Sequence, residues 1–134
     1  MADNMFQVEI ITPDEVFYQR QASMIEFTTV EGEIGVYKNH IPLTTVLAPG
    51  IVTISEEDGK KMAAVHAGFA EILGDKVTLL AEIAEWPDEI DVKRAQEAED
   101  RARERLNKKD DPSLDVARAE LALKKALVRQ DIRA

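Results

Sequence analysis

The sequence predicts two units in one chain: a mainly β N-terminal sandwich or flattened barrel over residues 1–86, then an antiparallel α-helical hairpin over residues 87–134. Three observations carry this division. All six glycines and four of the five prolines lie at or before Pro87. Residues 1–86 hold 5 Lys/Arg against 14 Asp/Glu, so the whole net charge of −9 resides there, whereas residues 87–134 hold 12 of each. The spacing of apolar residues also changes at this boundary, from every second residue to every third or fourth, which is the change from strand to helix.

The strand signals come in order. Residues 6–10 alternate and stop at Thr12-Pro13-Asp14; residues 16–18 and 24–30 follow. Residues 51–54 begin after Pro49-Gly50 and are separated by Asp58-Gly59 from residues 62–65, a hairpin signal. Gly74-Asp75 separates residues 69–73 from residues 77–80 in the same way. Gly32-Glu33-Ile34-Gly35 reads as a turn between strands, too short for a dinucleotide fingerprint. No helical period interrupts this region, which argues against a parallel βαβ sheet.

In the second unit Asp91 is a suitable N-cap. Val92, Ala95, Ala98, Ala102 and Leu106 form one narrow stripe, rich in alanine and so able to pack closely while burying little area. Pro112 suits the first turn of a second helix capped by Asp111. There Leu114, Ala117, Leu121 and Val128 form one stripe, and Val116, Ala119, Leu123 and Leu127 another. A hairpin this small is expected to lean on the sandwich.

Composition excludes several chemistries. There is no cysteine, hence no disulfide, thiolate zinc site or thiol nucleophile. The acidic balance argues against nucleic acid, because neutralising phosphates needs excess Lys and Arg. No run approaches the roughly 18 apolar residues of a membrane span, and Met1-Ala2-Asp3-Asn4 lacks a signal-peptide pattern. Neither a phosphate-binding Gly-Lys-Ser/Thr loop, a Gly-x-Ser-x-Gly elbow nor a His-Glu-x-x-His pair is present. His66, in a strand beside Met62 and Ala64, reads as structural, and His40 as structural or a contact residue. Basic rows are the one constellation of interest: Arg94 and Arg101 on the first helix, and Arg118, Lys125 and Arg129 on the second. They are either solvated faces or the two walls of a groove for a phosphorylated ligand or an acidic surface.

Five segments in order resemble the ε subunit of bacterial F-type ATP synthase: residues 8–14, 32–43, 67–71, 75–81 and 90–95, closed by residues 117–126. Lys38-Asn39 departs from the Pro-Gly common in that family, which is expected to alter a turn but not the fold. The resemblance implies a noncatalytic rotor subunit on the cytoplasmic face of the bacterial membrane, attached through protein contacts alone. Its implied partners are the γ subunit, the c-ring (through Glu33 and His40) and the catalytic α/β subunits. In the family the hairpin folds against the sandwich or rises along γ, and the raised form blocks ATP hydrolysis; the resemblance sets Arg118, Lys124, Lys125 and Arg129 toward the catalytic subunits. Residues 91–132 would reach roughly 60 Å as helix, with a break expected at Asp111-Pro112 because proline removes a donor and disfavours helix before it. No cofactor is required. Ile90-Asp91-Val92-Lys93-Arg94-Ala95 matches the motif with which Bacillus-type members bind ATP as a regulatory ligand. By position Glu85 and Asp91 would contact the adenine and ribose end or order the site, Arg94, Arg101 and Arg129 would meet the phosphates, and Ile90, Ala95 and Lys125 complete the ATP-binding set. Lys125 stands where the better-known binders have Arg, which loses the planar fork. The alternatives are a free-standing nucleotide sensor and, against the lack of a nucleophile or metal site, a small enzyme on the Asp/Arg cluster.

Overall fold

The computed structural model describes residues 4–133; the reading of the first three residues as free of a signal sequence lies outside them. Among the described residues eight strands precede two α-helices: β1 Phe6–Ile11, β2 Val16–Ala22, β3 Met24–Thr29, β4 Gly32–Val36, β5 Leu43–Leu47, β6 Gly50–Glu56, β7 Gly59–Ile72 and β8 Lys76–Glu85, then α1 Val92–Asn107 and α2 Val116–Arg133. The strands run in the order β2-β1-β8-β7-β5-β3-β4, with β6 bridging β3 and β7. Folded over, they enclose an aliphatic core in which Val8, Ile10, Ile25, Ile54, Ile72 and Leu79 are fully buried.

The long strand β7 belongs to both layers. Residues 59–65 pair with β6 and residues 68–72 with β5, while β8 follows the opposite edge. The sequence suggests two strands here, residues 62–65 and 69–73; the structure joins them through Ala67 (φ 60) and Gly68 (φ 122). These two left-handed residues reverse the alternation. Val65 points into the core on one side of them, and Ala70 and Ile72 on the other. One strand thereby lines both halves of the sandwich, its ladder to β8 interrupted at Ala67 and resumed in the same register at Gly68.

Three other expectations are corrected. Gly32–Val36 is not a turn but a strand, registered against β3 through Glu33↔Thr28 and Gly35↔Glu26; its two glycines hide the alternation. Asp111 does not cap the second helix: its Oδ1 accepts from Ser113 N (2.9 Å) and Ser113 Oγ (2.7 Å), closing a turn around Pro112. The cap is Asp115, whose Oδ1 accepts from Arg118 N (3.0 Å). The helical stripes are also narrower than their apolar residues suggest. Val92, Val116, Leu121 and Leu127 remain exposed, and the helices meet through Ala95 and Ala102 on α1 and Ala119 and Ala126 on α2. β1 and β8 pair in parallel, Gln7↔Lys76 to Ile11↔Leu80, without any βαβ unit, because the chain returns to its first strand only after six others.

Lys38 and Asn39 lie in a turn. Asn39 takes the left-handed conformation (φ 68) that asparagine tolerates, and its N–H donates to the Gly74 carbonyl at 2.6 Å. Trp86 marks the junction of the two units. It stacks on Phe17 (centroids 4.4 Å, 19° between planes), meets Tyr18 edge-on and lies 5.8 Å from Lys61 Nζ. Phe17 is the residue skipped where the β1–β2 register shifts. Tyr18 itself donates to Glu56 Oε2 (2.6 Å), and burial together with that carboxylate raises its hydroxyl far above its ordinary value.

Candidate functional site

The hairpin docks with α2 against β6 and β7 and with its C-terminal end over the 3₁₀ turn Pro87–Glu89. Between the end of β8, this turn and the two helices lies a cleft of about 290 Å³, lined by Glu85, Ile90, Asp91, Arg94, Ala95, Arg101 and Arg129, together with Glu89 and Ala98.

Each wall has a local cause. Pro87 starts the 3₁₀ turn, whose Glu89 Oε1 accepts from Trp86 N at 2.8 Å. Ile90, only 5% exposed, plugs the floor. Asp91 caps α1: its Oδ1 accepts the Arg94 amide at 3.1 Å, so the carboxylate organises the helix start and does not form an ion pair with the Arg94 side chain. One turn of helix is 3.6 residues, so Arg94 and Arg101, seven apart, rise on the same side of α1. Both guanidinium groups lack an ion-pair partner among the described residues. Small residues at Ala95 and Ala98 leave the space between the two helices open.

Across the cleft Arg129 is held. Its Nε donates to Glu85 Oε1 at 2.7 Å, and the same oxygen takes a hydrogen bond from His66 Nε2 at 3.0 Å. His66 is completely buried and its Nδ1 has no partner among the described residues. A strand residue of the sandwich, the last residue of β8 and α2 are thus joined through one carboxylate. Burial alone would raise the Glu85 carboxyl, but the hydrogen bonds from His66 and Arg129 and the charge of Arg129 outweigh it and hold it below its ordinary value. Folding therefore favours the ionised form. The stabilisation is complete above the ordinary carboxylate pKa of about 4.3 and is lost as pH falls through the lower folded value. Arm docking, followed by Trp86 fluorescence during thermal melting, is expected to weaken between about pH 5 and pH 3, with a shallower acid slope in Glu85→Gln. An equal slope in both proteins would contradict this. Farther along the hairpin Gln130 Nε2 donates to Glu99 Oε1 (2.8 Å), and Arg103 pairs with the same carboxylate group at 2.6 Å.

Of the eight residues assigned to a nucleotide from the sequence, seven line this cleft; Lys125 is half-buried one turn earlier on α2 and does not. The set assigned to catalytic-subunit contact disperses. Arg118 lines a separate opening of about 380 Å³ at the hairpin turn, with Arg105 and Lys108; Lys124 is exposed, and Arg129 is engaged by Glu85. Glu33 is exposed on the edge strand β4 and shares an opening with residues 43–45. His40 lies in the β4–β5 connection, its Nδ1–H donating to the Ile41 carbonyl at 2.6 Å. Sequence reasoning missed Glu89, though an acid two residues after Pro87 is a usual helix-start signal, and it missed the tie of His66 to Glu85, which only the β7–β8 register reveals.

A β-sandwich joined to a two-helix arm, with a cleft lined by three arginines and three carboxylates at their junction, defines the class of this protein. Family models for the "ATP synthase, Delta/Epsilon chain" match both units, the beta-sandwich domain at residues 5–87 and the long alpha-helix domain at residues 88–132. The chain is 44% identical over 131 residues to the ATP synthase epsilon chain of Caldanaerobacter subterraneus subsp. tengcongensis, covering 97% of this chain and 94% of that one. It is 42% identical to that of Halalkalibacterium halodurans, covering 93% and 94%. Among solved structures, a chain of the Euglena gracilis mitochondrial ATP synthase OSCP/F1/c-ring assembly aligns with a TM-score of 0.84 and 26% identity, over 96% of this chain and 81% of that chain. The chain belongs to the ATP synthase delta/epsilon chain family. None of its helices among the described residues is long and apolar enough to cross a membrane.

Proposed function

We propose that this chain is a noncatalytic central-stalk subunit of an F-type ATP synthase whose folded arm is held down by ATP bound in the arginine-lined cleft. The observation that carries the nucleotide reading is the convergence of Arg94 and Arg101 from α1 and Arg129 from α2 on one opening beside Ile90 and Ala95. Three guanidinium groups from two helices suit a polyphosphate, and a ligand that bridges the helices to the end of β8 binds only while the arm is docked. Ligand at tenfold its dissociation constant adds about 1.4 kcal/mol to that state, enough to move a balanced equilibrium. When ATP is scarce the arm is released, rises toward the catalytic α/β subunits and brakes hydrolysis, with the break between Asn107 and Val116 kept.

Attachment to the stalk is supported by the outer face of the sandwich. In the strand register Val46, Phe69, Leu80, Ile11 and Val16 stand in one row across β5, β7, β8, β1 and β2. Phe69 is 55% and Val16 57% exposed. An apolar row spanning five strands is a docking surface, and the γ subunit is its proposed occupant. Glu33 and His40 are the proposed contacts to the c-ring, which puts the protein at the cytoplasmic face of the membrane without a span of its own.

Calorimetric titration of ATP into the isolated chain tests the cleft. Saturable binding with a raised melting temperature is expected, and Arg94→Ala is expected to weaken it about tenfold or more, the loss of one charge-assisted contact. No heat and no thermal shift at millimolar ATP would end the nucleotide reading. A free-standing sensor is the alternative, and copurification with γ separates the two.

A further inference from the structure

We infer that His66 is a positioning residue for the anionic ligand of the cleft, acting through Glu85 on Arg129, so that a buried histidine of the sandwich sets the geometry of a site on the arm. This rests on the nucleotide reading of the cleft. It departs from the assignment of Glu85 to the adenosine end.

The geometry runs from the inside outward. His66 is 0% exposed, a costly place for an imidazole. Among the described residues its sole side-chain hydrogen bond goes to Glu85 Oε1, and its Nδ1 is left without a partner. An ionised carboxylate can only accept, so Nε2 carries the proton. Glu85 is thus pinned by a ring that cannot move within a packed strand. The carboxylate then takes Arg129 by Nε alone. Among the described residues the two Nη groups of Arg129 have no hydrogen-bond partner, and the residue lines the cleft opposite Arg94 and Arg101. A guanidinium held at Nε keeps its outer pair of donors for a phosphate oxygen and has already lost most of its side-chain freedom. Glu85 Oε1 already serves two donors, so the oxygen that holds Arg129 is committed to that task. An apolar residue at position 66 would pack as well but would leave Glu85 free to swing and Arg129 unaimed.

The test uses the full chain with ATP, inorganic tripolyphosphate and adenosine as separate calorimetric probes. His66→Leu is expected to weaken ATP and tripolyphosphate about tenfold and to leave adenosine unchanged. His66→Gln, whose amide reaches Glu85 with a donor, is expected to recover to within about twofold, a rescue that a purely packing role would not give. His66→Asn keeps an amide but falls short of Glu85, and it stands in for the leucine variant if that does not fold; its loss should match. Arg129 Nε–H exchange, read by NMR without ligand, should be slow in wild type and His66→Gln and fast in His66→Leu or His66→Asn. Wild-type binding of tripolyphosphate that survives in the leucine or asparagine variant overturns the inference alone. Absence of both ATP and tripolyphosphate binding in wild type overturns the nucleotide reading and the inference with it.

Discussion

Gly68→Ala is expected to destabilise the sandwich by about 3 kcal/mol or more, read as a lowered urea midpoint of the full chain. Two effects combine there. The residue sits at φ 122, a region that side-chain-bearing residues reach only with strain of about 1–3 kcal/mol. A methyl group at that position would also overlap the backbone carbonyl oxygen of Leu80, with the Leu80 carbonyl carbon and Ala81 Cα close behind. Those atoms belong to the strand paired with β7, so relief requires parting β7 from β8 at the point where both change layer. Gly32→Ala is the control. Its φ of 127 is equally unfavourable, but nothing lies within 4 Å of the added carbon, so it should cost only the conformational share, about 1–2 kcal/mol. Equal losses for the two variants would show that the overlap with Leu80 is relieved at no cost.

Ala126→Leu is expected to undock or splay the arm. Ala126 is wholly buried on α2, and Ala102 and Ala119 are 2% exposed on the faces where the helices meet. Close approach of this kind depends on side chains no larger than a methyl, and inserting three further carbons costs about 1–3 kcal/mol of overpacking. Each 1.4 kcal/mol is tenfold in an equilibrium constant, so a loss of about 2 kcal/mol takes the docked fraction of a balanced arm from one half to about one thirtieth, roughly fifteenfold. If ATP binds as proposed, its affinity should fall by the same factor, because binding must first restore the docked geometry, although Ala126 does not line the cleft. Calorimetry and helix melting followed by circular dichroism give the two numbers. An undiminished affinity would mean that the cleft forms without the docked pair of helices.

Much of this architecture was legible because it is written in local patterns. Alternation in residues 6–10, turn dipeptides at Asp58-Gly59 and Gly74-Asp75, and the alanine stripe beginning at Ala95 each act over a few residues. The composition of the cleft was legible for the same reason: residues 90–95 are contiguous, helical spacing set Arg101 beside Arg94 and put Arg129 in a second basic row, and the resemblance added Glu85. What was not legible depends on partners distant in the chain. Leu43–Leu47 carries Thr44 and Thr45 in place of a clean alternation and becomes a strand by pairing with β7 along its length and with β3 at Leu47. The continuity of β7 hinges on backbone angles at Ala67 and Gly68 that a propensity cannot express. Leu121 and Leu127 look like core residues by spacing, yet the alanines beside them win the interface because the helices come closer there. The role of His66 follows only from its register opposite Ile83, next to the strand end that carries Glu85.

The parallel pairing of β1 with β8 sets an order on synthesis. As the polypeptide leaves the ribosome, the first strand has no lasting neighbour on one edge until residues 76–80 emerge. Closure of the sandwich therefore waits until nearly all of the strand-forming sequence has been made, a long-range contact of the kind that slows folding. The helices are translated after the strands, and their alanine surfaces meet a platform already built. A ribosome stalled soon after Asp91 would release a finished anchor, whereas one stalled before Lys76 would release a sheet with an open seam, exposed to aggregation.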